Sequence, residues 1–495
     1  MPQPAPVVPV RLTNRWATFD CDPDLQSRLK EFFQYEVPGA KYSEAYRCGN
    51  WDGCCCLFSR GRVAAGLFLE QQALLKKEFR LQVTDERQAP QFSPASDDGL
   101  RPYQVKALEA MIRASSVGGI VLSATGSGKT KIGGALFKRL KGAACFVVDE
   151  LSLLEQSRRA LEKEVGEEIG VVGRSEFRPQ RITVATIQTL HRHRGKSAFK
   201  KWFRTLDVLV IDEVHLAINR RNIDVVQQVG PKAVFGLTAT LQMEKPHVRM
   251  PAVALCGPVI FDYPIQEGVK EGYLSQGVII AVEFRDPLLG ISPGYSYLRG
   301  EEEISVRAGT PEAEYRRHVC LNQTRNDCVE KIVREGLKRD RRVVVLVERL
   351  LHLKILNKRF QNVKHATLCG DVEAEVRLEA MRAMDAGELK LILTTRVFGK
   401  GVDIKAVDMI IDCTALPSRN NVIQRYGRGT RKVTGKAGLI FIDIADRGNR
   451  FEGAAHARLH ALKEIGAPIL RLPWRGSPDE VLDKITAAMD AVTAR

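Results

Sequence analysis

The chain has 495 residues, 44% of them hydrophobic and 27% charged, a length that predicts two to four domains and a composition that excludes a largely disordered polymer. Basic side chains exceed acidic ones by 16, nearly all of the excess falls between residues 96 and 450, and such an excess points to a polyanionic partner. No uncharged apolar run is long enough to cross a bilayer and the first 30 residues lack an apolar signal core, so no membrane partner is expected; the 11 cysteines then read as mainly reduced thiols in a cytoplasmic setting.

Residues 1–95 read as a small N-terminal α+β domain. Within it, residues 46–69 (YRCGNWDGCCCLFSRGRVAAGLFL) place Trp51, Asp52 and Gly53 before a strand, a Gly-containing turn and a second strand, which predicts a hairpin. Cys48, Cys54, Cys55 and Cys56 are not expected to hold zinc, because consecutive strand residues point to opposite faces. Residues 87–98 (RQAPQFSPASDD) are polar with two prolines and read as a linker. The domain before it is expected to be separable from a catalytic remainder.

Residues 96–270 form the first predicted α/β domain. Apolar runs at 119–123, 144–148, 182–185, 208–211 and 233–236 alternate with longer amphipathic stretches, as strands and helices do in a parallel sheet covered on both faces. Residues 271–472 repeat that texture, with runs at 342–347, 366–368, 391–394, 409–411 and 438–442. Residues 285–310 have no clean period and predict an irregular connection. Residues 473–495 predict a C-terminal helix, with Val481, Ile485 and Met489 on one face.

Residues 119–130 (GIVLSATGSGKT) set a strand before a Gly-rich turn. Thr125, Gly126, Ser127 and Gly128 can wrap backbone N–H groups around phosphates, Lys129 can neutralise them, and the Thr130 hydroxyl can ligate Mg²⁺. The first glycine of the usual P-loop pattern is replaced by Ser123. A second apolar strand delivers Asp212 and Glu213, suited to hold the Mg²⁺ shell and to polarise an attacking water. In LRPYQ, Arg101 accompanies Gln104, whose amide has the donor and acceptor to read an adenine edge. LTAT supplies Thr238 and Thr240 for coupling between sites, and QRYGRGTR supplies Gln424, Arg428 and Arg431, the arginines suited to a transition-state phosphate.

The succession LRPYQ, ATGSGKT, DEVH, LTAT, TTRVFGKGVDI, QRYGRGTR resembles superfamily 2 helicases and translocases over residues 97–450. The resemblance implies two tandem RecA-like parallel-sheet domains, ATP held in the cleft between them, and nucleic acid lying across both. It further implies that Gly401 and Asp403 link ATP to the nucleic-acid track and that Thr395 contacts a phosphate backbone. VATIQTL is similar to the family's track motif and brings in Thr186 and Gln188, whereas Asp149 and Glu150 stand where Pro and Thr are usual and get no contact. His191 and His193, among Arg192, Arg194, Lys196, Lys200 and Lys201, read as a solvated or phosphate-facing loop.

The N-terminal block resembles that of phage UvsW-type branch-migration helicases, the phage T5 relative included. This implies an ATP hydrolase, in a host cytoplasm if phage-encoded, acting with ATP and Mg²⁺ on branched or forked duplex DNA and on RNA–DNA hybrids during recombination, replication and repair. The alternatives are a duplex translocase that does not separate strands and an ATP-independent nucleic-acid scaffold; the second would be expected to lack at least one of Lys129, Thr130, Asp212, Glu213, Arg428 and Arg431, all of which are present.

Overall fold

The computed structural model describes residues 5–94, 99–173, 176–285, 295–299, 302–306, 310–395, 404, 406–417, 419–433, 436, 438–474 and 478–493. The chain divides into two compact units, Met1–Pro264 and Ile265–Arg495. No helix among the described residues is long and apolar enough to cross a membrane.

The first unit opens with a four-stranded sheet in the order Arg62–Ala64, Trp16–Phe19, Val7–Leu12, Arg80–Asp85. Along Val7–Leu12 the period of two is complete: Val8, Val10 and Leu12 are buried while Val7, Pro9 and Arg11 face out. The expected hairpin is not formed. Cys54–Cys56 pairs instead with Gln34–Glu36, Arg62–Ala64 pairs with Trp16–Phe19, and the residues after Ala64 turn into helix Ala65–Glu78. Trp51 donates its Nε1–H to the Cys54 carbonyl at 2.7 Å and Asp52 accepts from the Cys54 N–H at 2.9 Å, so both residues shape the entry to that short strand.

The larger sheet of this unit has eight strands, ordered Glu176–Arg178, Gly170–Gly173, Ile182–Thr186, Ala143–Val148, Leu206–Asp212, Ala233–Thr238, Gly118–Ser123, Val259–Tyr263. Every pairing is parallel except that of Glu176–Arg178 with Gly170–Gly173. One face of this sheet shares a single apolar core with the N-terminal domain, running from Val8 and Phe68 to Leu209, Val253 and Cys256. Helix Ala65–Glu78 lies so close to helix Pro246–Cys256 that a Cβ at Gly66 would stand 2.5 Å from the Gly257 Cα. The expected linker is also partly strapped down, because Ser93 N–H donates to the Arg139 carbonyl and Lys141 N–H to that of Gln91; residues 95–98 lie outside the described residues.

The second unit is built on seven parallel strands, ordered His365–Leu368, Leu391–Thr394, Val343–Leu346, Met409–Asp412, Leu439–Arg447, Gly277–Arg285, Ile469–Trp474. The segment expected to be irregular contains an antiparallel pair, Tyr295–Arg299 with Glu302–Val306; alternating residues were hidden there by Gly and Glu in the connection. Helix Pro478–Thr493 forms as expected and buries Ile485 in the core, while the side chains of Val481 and Met489 lie outside the described ones.

Candidate functional site

Parallel strands deliver their C-terminal ends to one edge of a sheet, and that edge is where α/β proteins place chemistry. In the first unit the strands ending at Ser123, Val148, Thr186, Asp212 and Thr238 bring the expected motifs to one edge. After Ser123 the chain turns with Gly126 and Gly128 at φ 84° and 81°, a left-handed conformation that favours glycine, and helix Lys129–Arg139 starts at once. Its first N–H groups are thereby open to an anion. Ser123, standing in for the usual glycine, fits because its Oγ is 2.7 Å from the Ser127 Oγ and braces the loop at its base.

Gln104, expected to read an adenine edge, is engaged by the chain itself. Its Nε2 donates to the Ser127 carbonyl at 2.7 Å while its Oε1 accepts from the Arg101 N–H at 2.9 Å, and the side chain is 4% exposed. The Tyr103 hydroxyl donates to the same Ser127 carbonyl at 2.7 Å. This side of the loop is therefore held by two side chains of helix Pro102–Arg113, Tyr103 itself stacking on Tyr263 at 4.1 Å. Tyr103 carried no signal in the sequence beyond its place beside Gln104.

Lys129 Nζ lies 3.9 Å from Glu213 Oε1 and donates to the Ser123 carbonyl at 3.4 Å, so the lysine expected to neutralise phosphate and the carboxylate expected to polarise water meet. Glu213 sits in a left-handed backbone at φ 46°, strain of a kind that clusters at functional sites. Burial, then the neighbouring Glu213, push the Asp212 carboxyl up to about 6, against the pull of Lys129. Two acidic groups crowded at the end of one strand suit a divalent cation. Thr125 Oγ1 is buried with no hydrogen-bond partner among the described residues, in a loop whose Ser127 is held by Ser123, Tyr103 and Gln104. The donor set, Thr130 hydroxyl with Asp212 carboxylate, therefore fits Mg²⁺ on a nucleotide.

The threonines expected to couple sites meet this one directly. Thr238 Oγ1 donates to Glu213 Oε2 at 3.2 Å, accepts from the Thr240 N–H at 3.2 Å, and lies 3.0 Å from His215 Nδ1. With Thr238 donating to Glu213, the Nδ1 contact is one in which His215 donates. His215 had no role from sequence, although its place in DEVH put it two residues from the glutamate. Thr240 Oγ1 is buried and has no partner among the described residues.

The track residues are less open than expected. Thr186 is 1% exposed and caps helix Ile187–His193 by accepting from the Thr189 N–H; its Oγ1 also lies 2.8 Å from that of Thr189. Gln188 donates its Nε2–H to the Asp149 carbonyl at 2.6 Å. The stretch expected to be a loop forms two helices, Ile187–His193 and Ser197–Arg204, because Phe199, Trp202 and Phe203 share one buried face.

In the second unit, Gln424 and Arg428 lie on helix Arg419–Gly429 and Arg431 just beyond it; all three are half-buried, and burial lowers the Arg431 pKa. Sequence reasoning missed the clasp that holds this helix. Arg425 Nη1 donates to Asp412 Oδ2 at 2.7 Å and to Thr414 Oγ1 at 2.9 Å. Burial opposes ionisation of Asp412, but Arg425 and Arg458 outweigh it and hold its carboxyl low. The signal was an aspartate ending the apolar strand Met409–Asp412, as Asp212 ends its own. Thr395 is half-buried, its N–H donating to the Leu368 carbonyl; Gly401 and Asp403 lie outside the described residues.

Comparison with known proteins adds to this geometry. Residues 97–243 match the family "Type III restriction enzyme, res subunit" and residues 324–433 the "Helicase conserved C-terminal domain". The chain is 24% identical over 388 residues to the DNA 3'-5' helicase XPB of Kineococcus radiotolerans, covering 75% of this chain and 64% of that protein, so it spans less than two thirds of this relative. It is 21% identical over 467 residues to the ATP-dependent DNA helicase uvsW of Enterobacteria phage T4, covering 86% and 88% respectively. Among solved structures, the ATP-dependent Type ISP restriction-modification enzyme LlaBIII bound to DNA aligns with TM-score 0.58 at 14% identity, over 81% of this chain and 32% of that one. The fold is thus the expected pair of RecA-like parallel-sheet domains preceded by a small α+β domain.

Proposed function

We propose, from the premise that this chain belongs to the superfamily 2 helicases, that it is an ATP-driven motor remodelling branched DNA by moving branch points, reversing forks and clearing RNA from R-loops. The observation that carries the motor reading is the linkage Lys129–Glu213–Thr238, in which the hydrolytic carboxylate touches both a phosphate-binding lysine and the threonine that leads to the rest of the domain. In hydrolysis, the Glu213 carboxylate orients water and accepts its proton as the oxygen attacks the γ-phosphorus and the bond to ADP breaks. Lys129 and the N-terminus of helix Lys129–Arg139 balance the phosphate charge. Thr130 and Asp212 would hold Mg²⁺, which would supply further neutralisation of phosphate charge. Arg428 and Arg431 are the guanidinium groups proposed to stabilise the transition state, with Gln424 beside them. Loss of the ADP–γ-phosphate link alters what Glu213 balances, and Thr238 is placed to pass that change onward.

The branched-DNA reading draws on the N-terminal domain and on the extent of the match to the phage T4 protein. It is tested with a synthetic mobile four-way junction beside a simple partial duplex, with ATP and with Lys129→Ala as control. Preferential, Lys129-dependent conversion of the junction is expected. ATP hydrolysis without rearrangement of either substrate would instead establish a duplex translocase that does not separate strands.

A further inference from the structure

Residues 187–204 (IQTLHRHRGKSAFKKWFR) contain no acidic residue. Arg192, Arg194, Lys196, Lys200, Lys201 and Arg204 are all exposed, and among the described residues none is ion-paired with a carboxylate. Arg220 and Arg221 extend the surface at the start of helix Arg220–Val229, which packs against both preceding helices. Arg194 Nη1 lies 2.7 Å from His191 Nδ1, and burial together with the neighbouring cations Arg194 and Arg221 lowers the His191 pKa. Ile223 and Val226 of helix Arg220–Val229 lie in the apolar core shared with the N-terminal domain, against which Tyr35 and Cys56 also pack, and this brings the charged face up to that domain.

Two features of this surface go against simple helix stabilisation. Lys196, Arg220 and Arg221 sit at helix N-termini, where the macrodipole disfavours cations. Asp224 is the one carboxylate on these three helices, so the net positive charge of the face costs free energy that a polyanion would offset. The placement of the aromatics then selects the polyanion. Proteins that hold single strands stack bases on exposed rings, and here Phe199, Trp202 and Phe203 are at most 8% exposed, all turned into the core. The solvent face offers charge without a stacking platform, which suits phosphates whose bases are already stacked in a double helix.

We propose that the outer face of helices Ile187–His193, Ser197–Arg204 and Arg220–Val229 docks the phosphate backbone of a duplex DNA arm, leading away from Thr186 and Gln188 toward the N-terminal domain. The proposal rests on the reading of this chain as a DNA motor, but its test needs no ATP. Binding of the full chain to a blunt duplex and to oligothymidylate of equal length is measured by fluorescence anisotropy over a range of salt, for wild type and for Lys200→Gln/Lys201→Gln/Arg204→Gln. The log–log salt slope on duplex is expected to fall by roughly two to three in the variant, about one per lost phosphate contact, with the single-strand slope unchanged. Lys200→Arg/Lys201→Arg should keep the wild-type slope. A control of equal charge loss on exposed positions, Lys354→Gln/Lys358→Gln/Lys463→Gln, should shift it by less than about one. An unchanged duplex slope, an equal fall on both nucleic acids, or an equal fall in the control overturns the proposal. Absence of ATP turnover would instead defeat the motor reading and leave this result standing.

Discussion

Glu213 and Asp212 are adjacent in sequence yet have separable predicted roles. Glu213→Gln keeps the shape of the contact with Thr238 but removes the proton acceptor, so nucleotide binding should survive while turnover falls roughly 10²–10⁴-fold; equal loss of both, read by nucleotide binding and phosphate release, would contradict the role. Asp212 has its folded pKa raised to about 6 by burial and by Glu213. Between the ordinary carboxylate range and about 6 the nucleotide-free folded chain holds a proton that the unfolded chain lacks, so the stability linked to this group is present at low pH and lost as pH rises to that value. Asp212→Asn should therefore raise the nucleotide-free melting temperature above pH 6 and abolish turnover, and an unchanged melting temperature there would show that the like charge is not felt. Lys129, Asp212 and Glu213 were legible as candidates from residue type because few side chains can neutralise phosphate or accept a proton from water at a strand end. The engagement of Gln104 and Thr186 was not, because an amide or hydroxyl finds backbone partners nearby that sequence does not reveal.

Elements were legible where apolar residues recur with a period. The ten strand runs all fall on strands of the two large sheets, and the three aromatics of residues 199–203, at helical spacing, held the signal for a helix that the dense charge concealed. Cys54–Cys56 is too short for any period to show which strand it joins, so its pairing with Gln34–Glu36 depends on tertiary contacts. The contact between helix Ala65–Glu78 and the end of helix Pro246–Cys256 gives a sharp test. A Cβ at Gly66 would meet the Gly257 Cα at 2.5 Å and the Val253 carbonyl at 2.7 Å, backbone atoms that cannot rotate away. Gly66→Ala should cost roughly 1–3 kcal/mol in thermal unfolding, and a neutral effect would mean the two helices are not packed so tightly.

For the whole molecule, the continuous core of the first unit changes what removing residues 1–95 should do. Composition suggested a separable domain followed by a linker; instead Leu209, Val253 and Cys256 share a core with Val8 and Phe68, and truncation uncovers that apolar face. The truncated chain is expected to bind a hydrophobic dye and melt at lower temperature than the full chain, and a melting temperature equal to the full chain's would show the interface to be dispensable. A domain that shares its core with the P-loop domain in this way is joined to it without a hinge, and shared cores of this kind leave no local mark in composition or periodicity. The central claim, that this fold couples ATP hydrolysis to DNA, is tested most directly by phosphate release from the full chain with and without duplex DNA, beside Lys129→Ala. Turnover stimulated by duplex and reduced at least about 100-fold by the substitution is predicted; no turnover under any nucleic acid, or equal turnover in both proteins, would contradict it.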